Sequence, residues 1–224
     1  MDRRVLSALP MTGVLSGTAL LGFATTWYPG GYRWSEHTIS ALFQAATPSG
    51  VVNPARPFAV LGVLTAMSGI ALLFHLVSSR SRSAFHKKAI QIGGIASTAL
   101  ATLTVTLLHD LMAGLALVSF VVALTAVLHM LYRERVLGLF ALGVLFVALE
   151  LGTAVLYFGQ IFLEFLPAGQ KAALVLIGLW LFAVQHRTGV PDHLSTGLVR
   201  RCLASRLTQR CSRQSAREDK SNSQ

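Results

Sequence analysis

Charged residues are scarce in this sequence, and acidic residues are scarcest of all. Of the 224 residues, 12% are charged, and Asp and Glu together number 9. An average soluble domain carries about 25% charged residues, whereas 53% of this chain is hydrophobic. The composition therefore excludes an ordinary soluble domain. The length also leaves no room for a separate soluble domain beside a membrane bundle.

Cysteine is nearly absent, and so are the motifs of several enzyme classes. The two cysteines, Cys202 and Cys211, have eight residues between them, which matches no common metal-ligand spacing. No HExxH, CxxC or HxxxH pattern occurs, and no glycine-rich phosphate loop stands between a strand and a helix. The sequence therefore identifies no metal and no cofactor, and it disfavours a nucleotide-driven enzyme.

Long apolar runs dominate what is present. They span residues 5–27, 58–79, 91–109, 112–132, 136–158 and 167–186. Each is about 20 residues long, which at 1.5 Å rise per residue crosses roughly 30 Å of hydrocarbon. The third run carries small residues that permit close helix approach, among them Gly93, Gly94 and Ser97. The pattern predicts an all-α integral membrane bundle of six transmembrane helices within residues 1–187.

The 19 Lys and Arg residues are distributed unevenly over the connections between these runs. Sixteen of them lie before the first run, after the second, after the fourth or after the sixth. The other connections hold only Arg33, Arg56 and Lys171. Because short basic loops stay in the cytoplasm, both termini are predicted to be cytoplasmic. The net charge of +10 then follows from topology, and nucleic acid is not an expected partner.

The composition changes after residue 187. Residues 188–211 place leucines at helical spacing between arginines, which predicts a basic amphipathic segment lying on the anionic cytoplasmic leaflet. The alternative is a basic tail that only fixes the topology. Residues 212–224 have the composition of a disordered tail. Membrane lipids are thus the expected partners, and the sequence leaves the oligomeric state open.

The connection 28–57 is the longest and most polar within the bundle. Pro29, Gly30 and Gly31 predict a break after the first helix. A short helix is predicted from Ser35 to Gln44, with Ser35 as its N-cap. Long structured loops in compact bundles are usually functional or act as lids. We therefore expect this loop to fold over the outer mouth of the bundle.

The stretch from Tyr28 to Leu42 resembles a six-helix family of bacterial and archaeal membrane proteins, catalogued as domain of unknown function 998. The resemblance rests on a turn after the first helix, an Ile-Ser segment, an Asn that opens the second helix and a His near the turn between the third and fourth helices. These correspond to Pro29–Tyr32, Thr38–Leu42, Asn53 and His109. This chain has Ala41 where the family pattern has an acidic residue. The resemblance covers residues 8–186 and implies the fold, in the plasma membrane of a bacterium or archaeon, without an activity.

Polar residues of the predicted outer side are the candidates for a site. Four ionisable residues are candidates for chemistry, and we expect them to converge on one outward-facing cavity: His37, His109, Asp110 and Glu150. Five others are candidates for binding a substrate: Arg33, Glu36, Ser40, Asn53 and Arg56. Glu36 and Ser40 would share one face of the predicted short helix. The alternative is that these are interfacial residues bonded to loop backbone and water.

Glu150 lies well inside the fifth apolar run. An ionised carboxylate there must face the bundle interior, be protonated or be paired. Glu150 is therefore expected to be a proton relay or a ligand for a cationic group, or else a structural partner of His75, of His129 or of the Ser and Thr residues of the third helix.

Three classes of function remain open from the sequence. The first is a non-enzymatic membrane component such as a sensor, scaffold or assembly factor, since no catalytic motif is complete. The second is an outer-leaflet enzyme that hydrolyses or transfers a lipid headgroup, with a metal held by His and Asp as one version of it. The third is a small-solute or proton-coupled transporter, which rests on Glu150.

Overall fold

A computed structural model describes residues 3–81, 83–106 and 108–187. These residues form an all-helical fold, with α1 (Arg3–Thr25), α2 (Arg56–Ser78), α3 (Ala84–Leu103), α4 (His109–Arg133), α5 (Leu137–Gly159) and α6 (Leu166–Arg187). Two short 3₁₀ helices, Ile39–Phe43 and Leu163–Phe165, lie in connections. The predicted all-α class is confirmed. The amphipathic segment predicted for 188–211 and the disordered tail predicted for 212–224 lie outside the described residues.

Five of the described helices are long and apolar enough to cross a membrane, namely α1, α2, α4, α5 and α6. α3 differs from the predicted run at 91–109, because it begins at Ala84 and ends at Leu103. The Ser83 side chain accepts a hydrogen bond from the backbone N–H of His86 and caps the helix before Lys87 and Lys88. These lysines belong to the first turns of α3 rather than to a loop, because capping and not hydropathy sets the start.

The end of α3 also corrects the expected position of His109. The side chains of Thr104 and Thr106 donate hydrogen bonds to the carbonyls of Ala101 and Leu103, in a turn that closes the helix. The next helix then starts at His109, which is the first residue of α4 and not the last of the third span.

Consecutive helices pack side by side, and α2 also contacts α6. The larger core cluster contains residues of all five helices from α2 through α6, among them Phe74, Leu124, Phe146 and Trp180. Trp180 is fully buried, and its indole N–H donates to the carbonyl of Leu139 at 2.8 Å. This bond satisfies the one polar atom of the largest core side chain.

Small residues bring several helices close together. In α1 and α2, Gly17 faces Gly62 and Ala66, and a Cβ at Gly17 would lie 2.5 Å from the Gly62 carbonyl oxygen. In α3, a Cβ at Gly94 would overlap Cγ of Phe74. The close approach predicted for the third helix is confirmed, and the tight α1–α2 contact adds a second one.

The outer surface of the bundle is apolar. Large hydrophobic side chains on several helices are more than half exposed, including Leu61, Val118, Leu145, Val155 and Leu179. In water such a surface would drive aggregation, whereas hydrocarbon solvates it as readily as a protein core does. The described part of the chain is thus the helical, apolar structure of a membrane protein.

The 28–57 loop packs against the bundle. Gly30 and Gly31 adopt positive φ values of 76° and 85°, which forms the predicted turn. The short helix predicted from Ser35 to Gln44 is wrong in its bounds, because a 3₁₀ helix occupies only Ile39–Phe43. Arg33 explains the difference: its carbonyl accepts from the N–H of His37 at 2.9 Å and closes a separate turn. Glu36 and Ser40 therefore do not share a helix face.

Candidate functional site

A cavity of about 350 Å³ lies inside the end of the bundle that carries the 28–57 loop, called here the loop end. Its wall comes from α2 to α6 and from the 3₁₀ helix Ile39–Phe43. Most of the wall is apolar, and five aromatic rings contribute to it: Phe43, Phe120, Phe146, Tyr157 and Phe158. Its volume falls at the lower end of the range of small-molecule sites, about 300–1,000 Å³.

Three hydroxyl groups in the wall donate within their own helices. Ser97 donates to the carbonyl of Gly94 at 2.8 Å, and Thr98 donates to the carbonyl of Ile95 at 2.9 Å. Thr153 donates to the carbonyl of Leu149 at 2.6 Å. Because each hydroxyl has one proton, these groups offer a ligand only weak acceptor capacity.

Glu150 lies in the wall on the cavity-facing side of α5. Phe146, Thr153, Ala154 and Tyr157 share this face, because they are separated from Glu150 by three, four or seven positions. Among the described residues, no group hydrogen-bonds to the Glu150 carboxyl or forms an ion pair with it. The cavity therefore contains a carboxyl group without a partner in the part of the chain that the structure describes.

A hydrogen-bonded cluster of Tyr157, His109 and Asp110 stands where α4 begins. His109 Nδ1 lies 2.9 Å from Oδ1 of Asp110 and 3.2 Å from the hydroxyl of Tyr157. The Tyr157 hydroxyl also donates to Oδ1 of Asp110. The side chain of Asp110 is 74% exposed and that of His109 is 31% exposed, so the cluster lies near solvent. The N-terminal end of α4 favours the negative charge of Asp110.

Lys171 of α6 holds the loop onto the bundle. Its ammonium donates to the carbonyls of Trp34 at 2.6 Å and His37 at 2.7 Å, and it lies 5.5 Å from the ring centre of Tyr32. The Tyr32 hydroxyl donates to the same His37 carbonyl at 2.9 Å. Burial, and then the neighbouring Tyr28, raises the pKa of Tyr32 to about 12, so this donor keeps its proton at neutral pH.

Asn53 holds the loop from the other side. Its side-chain amide donates to the carbonyls of Ala41, Leu42 and Gln44 at 3.4, 3.2 and 3.0 Å. Its carbonyl oxygen accepts from the N–H of Ala55 at 3.1 Å, and the residue is only 4% exposed. All of its hydrogen-bonding groups are thus committed to the loop backbone.

The structure brings together some of the predicted site residues and separates others. His109, Glu150 and Ser40 line the cavity, and Asp110 contacts His109 at its edge. His37 lies outside the cavity wall, where its Nδ1 accepts from the N–H of Arg33 at 2.9 Å.

Apart from the buried Asn53, the remaining predicted residues are charged and lie on the surface. Arg33 and Glu36 form an exposed ion pair at 3.1 Å, which screening by water makes weak. Arg56 begins α2 and is exposed. Neither arginine belongs to the cavity wall, so a role in binding a headgroup would require a ligand that extends out of the cavity.

Tyr157, Gln170 and Lys171 are site residues that the sequence analysis missed. Tyr157 is seven positions after Glu150, a spacing that marks one helix face and could have revealed it. Gln170 accepts from the N–H of Ile39 at 3.3 Å across 131 positions of sequence, and no local pattern signals such a contact. Lys171 stood out in the sequence only as one of the three basic residues in the connections predicted to face outward.

No group of three or more His, Cys, Asp or Glu side chains arranged to hold a metal ion occurs in the described ranges. Comparisons with protein-family models, with curated proteins and with solved structures each return no match for the chain. The resemblance to the six-helix family therefore stays a prediction.

Proposed function

We propose that this protein is a non-enzymatic sensor of a bacterial or archaeal plasma membrane, which binds a small and mostly apolar molecule in its cavity. The observation that carries the proposal is the cavity of about 350 Å³, with its apolar and aromatic wall. Apolar walls with a few polar groups are the usual composition of small-molecule sites. The loop pinned by Lys171 and Asn53 forms part of the wall, so occupancy of the cavity acts directly on an exposed segment.

The topology we propose has six spans with both termini in the cytoplasm. Length and composition alone do not qualify α3 as a membrane span, because His86, Lys87 and Lys88 occupy its first turns. Its packing against both α2 and α4 supports a full crossing. Its last residues also line the loop-end cavity together with the first residues of α4. Crossing by α3 gives an even number of spans and gathers the basic connections on one side.

Labelling of single cysteines tests this topology. In a background with Cys202 and Cys211 replaced by serine, we expect an impermeant thiol reagent to label Ser49→Cys and Thr106→Cys from outside intact cells. Ser83→Cys should be labelled only after the cells are opened, because α3 separates it from Thr106. All three positions are exposed in the structure. Labelling of Ser83→Cys and Thr106→Cys from the same side would refute a crossing α3.

The basic segment 188–211 is proposed to lie on the anionic cytoplasmic leaflet, on the strength of its sequence.

Two other functions are less well supported than a sensor. An outer-leaflet lipid hydrolase or transferase has the Tyr157–His109–Asp110 cluster in its favour, but these three groups already satisfy one another. A transporter has Glu150 in its favour.

Filling the cavity tests the proposed function. We expect Ala154→Leu to weaken binding of neopentylbenzene, a small uncharged probe, by about tenfold or more, because the added carbons occupy the space of the ligand. Binding is measured as the ligand-dependent rise in Tm of the purified full chain in a neutral maltoside detergent.

Ala172→Leu is the matched control for this experiment. Ala172 is exposed on α6 and is not part of the cavity wall, so the same enlargement there should leave probe binding unchanged. Failure of the unsubstituted protein to bind the probe, or equal binding by both variants, would count against the cavity as a binding site.

A further inference from the structure

We infer that the cavity takes a lipophilic organic cation, a tertiary or quaternary ammonium, whose positive charge pairs with the carboxylate of Glu150. This inference rests on the proposed function and specifies the class of its ligand. Glu150 is the carboxylate of the cavity wall, and no Lys or Arg side chain of the described residues joins it there. The wall therefore carries a carboxyl group that is paired with no cationic side chain of the described residues.

Because no described residue pairs with the Glu150 carboxyl, an external cation is its natural complement. An ionised carboxylate among apolar side chains is unfavourable unless it gains a counter-charge or a proton. Asp110, by comparison, already has His109 and Tyr157 as partners at the edge of the cavity. Glu150 is deeper, about 10 Å along α5 from Tyr157 at 1.5 Å rise per residue. A bound ammonium would supply the missing charge at that depth.

The aromatic side chains favour the same ligand. Phe146 lies one turn from Glu150 on the cavity side of α5. The ring of Phe120 packs edge-on against the ring of Phe146, with 5.7 Å between the ring centres. The faces of such rings attract organic cations. Because the ring faces and aliphatic side chains of the wall also solvate alkyl groups, they match the substituents of an ammonium ion.

Other ligand charges fit the wall poorly. An anion would be repelled by an ionised Glu150, and the hydroxyls of Ser97, Thr98 and Thr153 have no proton to offer it, because they donate within their own helices. A hard inorganic cation requires several oxygen ligands around it. Among the groups that flank Glu150 on its helix face, Phe146 and Ala154 provide no oxygen, and the hydroxyls of Thr153 and Tyr157 are already bonded to Leu149 and Asp110.

Two probes of the same shape test the inference. Benzyltrimethylammonium carries a positive nitrogen where neopentylbenzene has a carbon, so the two differ in charge and hardly in volume. We expect Glu150→Gln to weaken binding of benzyltrimethylammonium by about tenfold or more, because the charge pair is lost. Binding of neopentylbenzene should stay within about twofold, which also shows that the variant is folded.

Glu164→Gln supplies the matched control, since it removes the same charge from an exposed residue outside the cavity wall. It should leave the affinity for benzyltrimethylammonium unchanged. If neopentylbenzene binds and Glu150→Gln leaves the affinity for the cation intact, the cation inference is overturned while the proposed function stands. Equal weakening of both probes by Glu150→Gln, or an equal effect of Glu164→Gln, also overturns it. Failure of both probes to bind the unsubstituted protein removes the proposed function itself.

Discussion

Gly17→Ala is expected to destabilise the protein by about 3 kcal/mol, because α1 and α2 have no space for even one methyl group at this position. A Cβ there would lie 2.5 Å from the carbonyl oxygen of Gly62 and 2.5 Å from the backbone nitrogen of Ala66. Both are backbone atoms of α2, so a rotamer change cannot relieve the clash. The two helices must separate along their shared face, which also contains Gly13 and Gly69.

The effect is measured as the Tm of the purified protein in maltoside detergent, together with its unfolding by sodium dodecyl sulfate. Gly22→Ala is the control on the same helix, since a Cβ at Gly22 has no neighbouring atom within 4 Å. That variant should be neutral or slightly stabilised, because alanine favours the helix over glycine. Equal stability of the Gly17 and Gly22 variants would show that α1 and α2 are not in close contact.

Sequence predicted the helices well because each apolar run is long and continuous. It misplaced the ends of α3, where Ser83 and the threonines near residue 104 set the boundaries through hydrogen bonds. The close contact of α1 with α2 was also detectable, since Gly13 and Gly17 are four positions apart and lie on one face. Which helix packs against that face is a tertiary property, and a single sequence does not contain it as a pattern.

The candidate site was predictable only in part. His109 and Glu150 belong to helix segments near the same end of the bundle, so topology alone places them at related depths. The cavity between them depends on how α4, α5 and α6 diverge, which no local spacing encodes. The same holds for Lys171, whose ammonium contacts carbonyls 134 and 137 positions away in sequence. His37 was expected in the cavity because of its loop, but hydrogen bonding within 33–37 holds it elsewhere.

Asn53→Asp is expected to detach the 3₁₀ helix Ile39–Phe43 from the cavity wall. The substitution hardly changes the volume of the side chain, but it removes both amide protons that bind the carbonyls of Ala41, Leu42 and Gln44. It also places a negative oxygen against those carbonyls in a site that is 4% exposed. Leaving such buried acceptors unpaired costs about 1–3 kcal/mol, and the added charge increases this cost.

Two measurements check the release of the loop caused by Asn53→Asp. New chymotryptic cleavage should occur after Leu42 or Phe43, which are 2% and 8% exposed in the folded loop. Binding of neopentylbenzene should weaken by about tenfold or more, because Phe43 and Ser40 leave the wall of the cavity. Gln44→Glu adds the same charge to the same loop through an exposed side chain, and should cause neither change. The contrary outcome is that chymotrypsin cleaves Asn53→Asp no faster than Gln44→Glu while Asn53→Asp no longer binds neopentylbenzene. Asn53 would then act on the cavity without holding the loop, contrary to the role assigned to its hydrogen bonds.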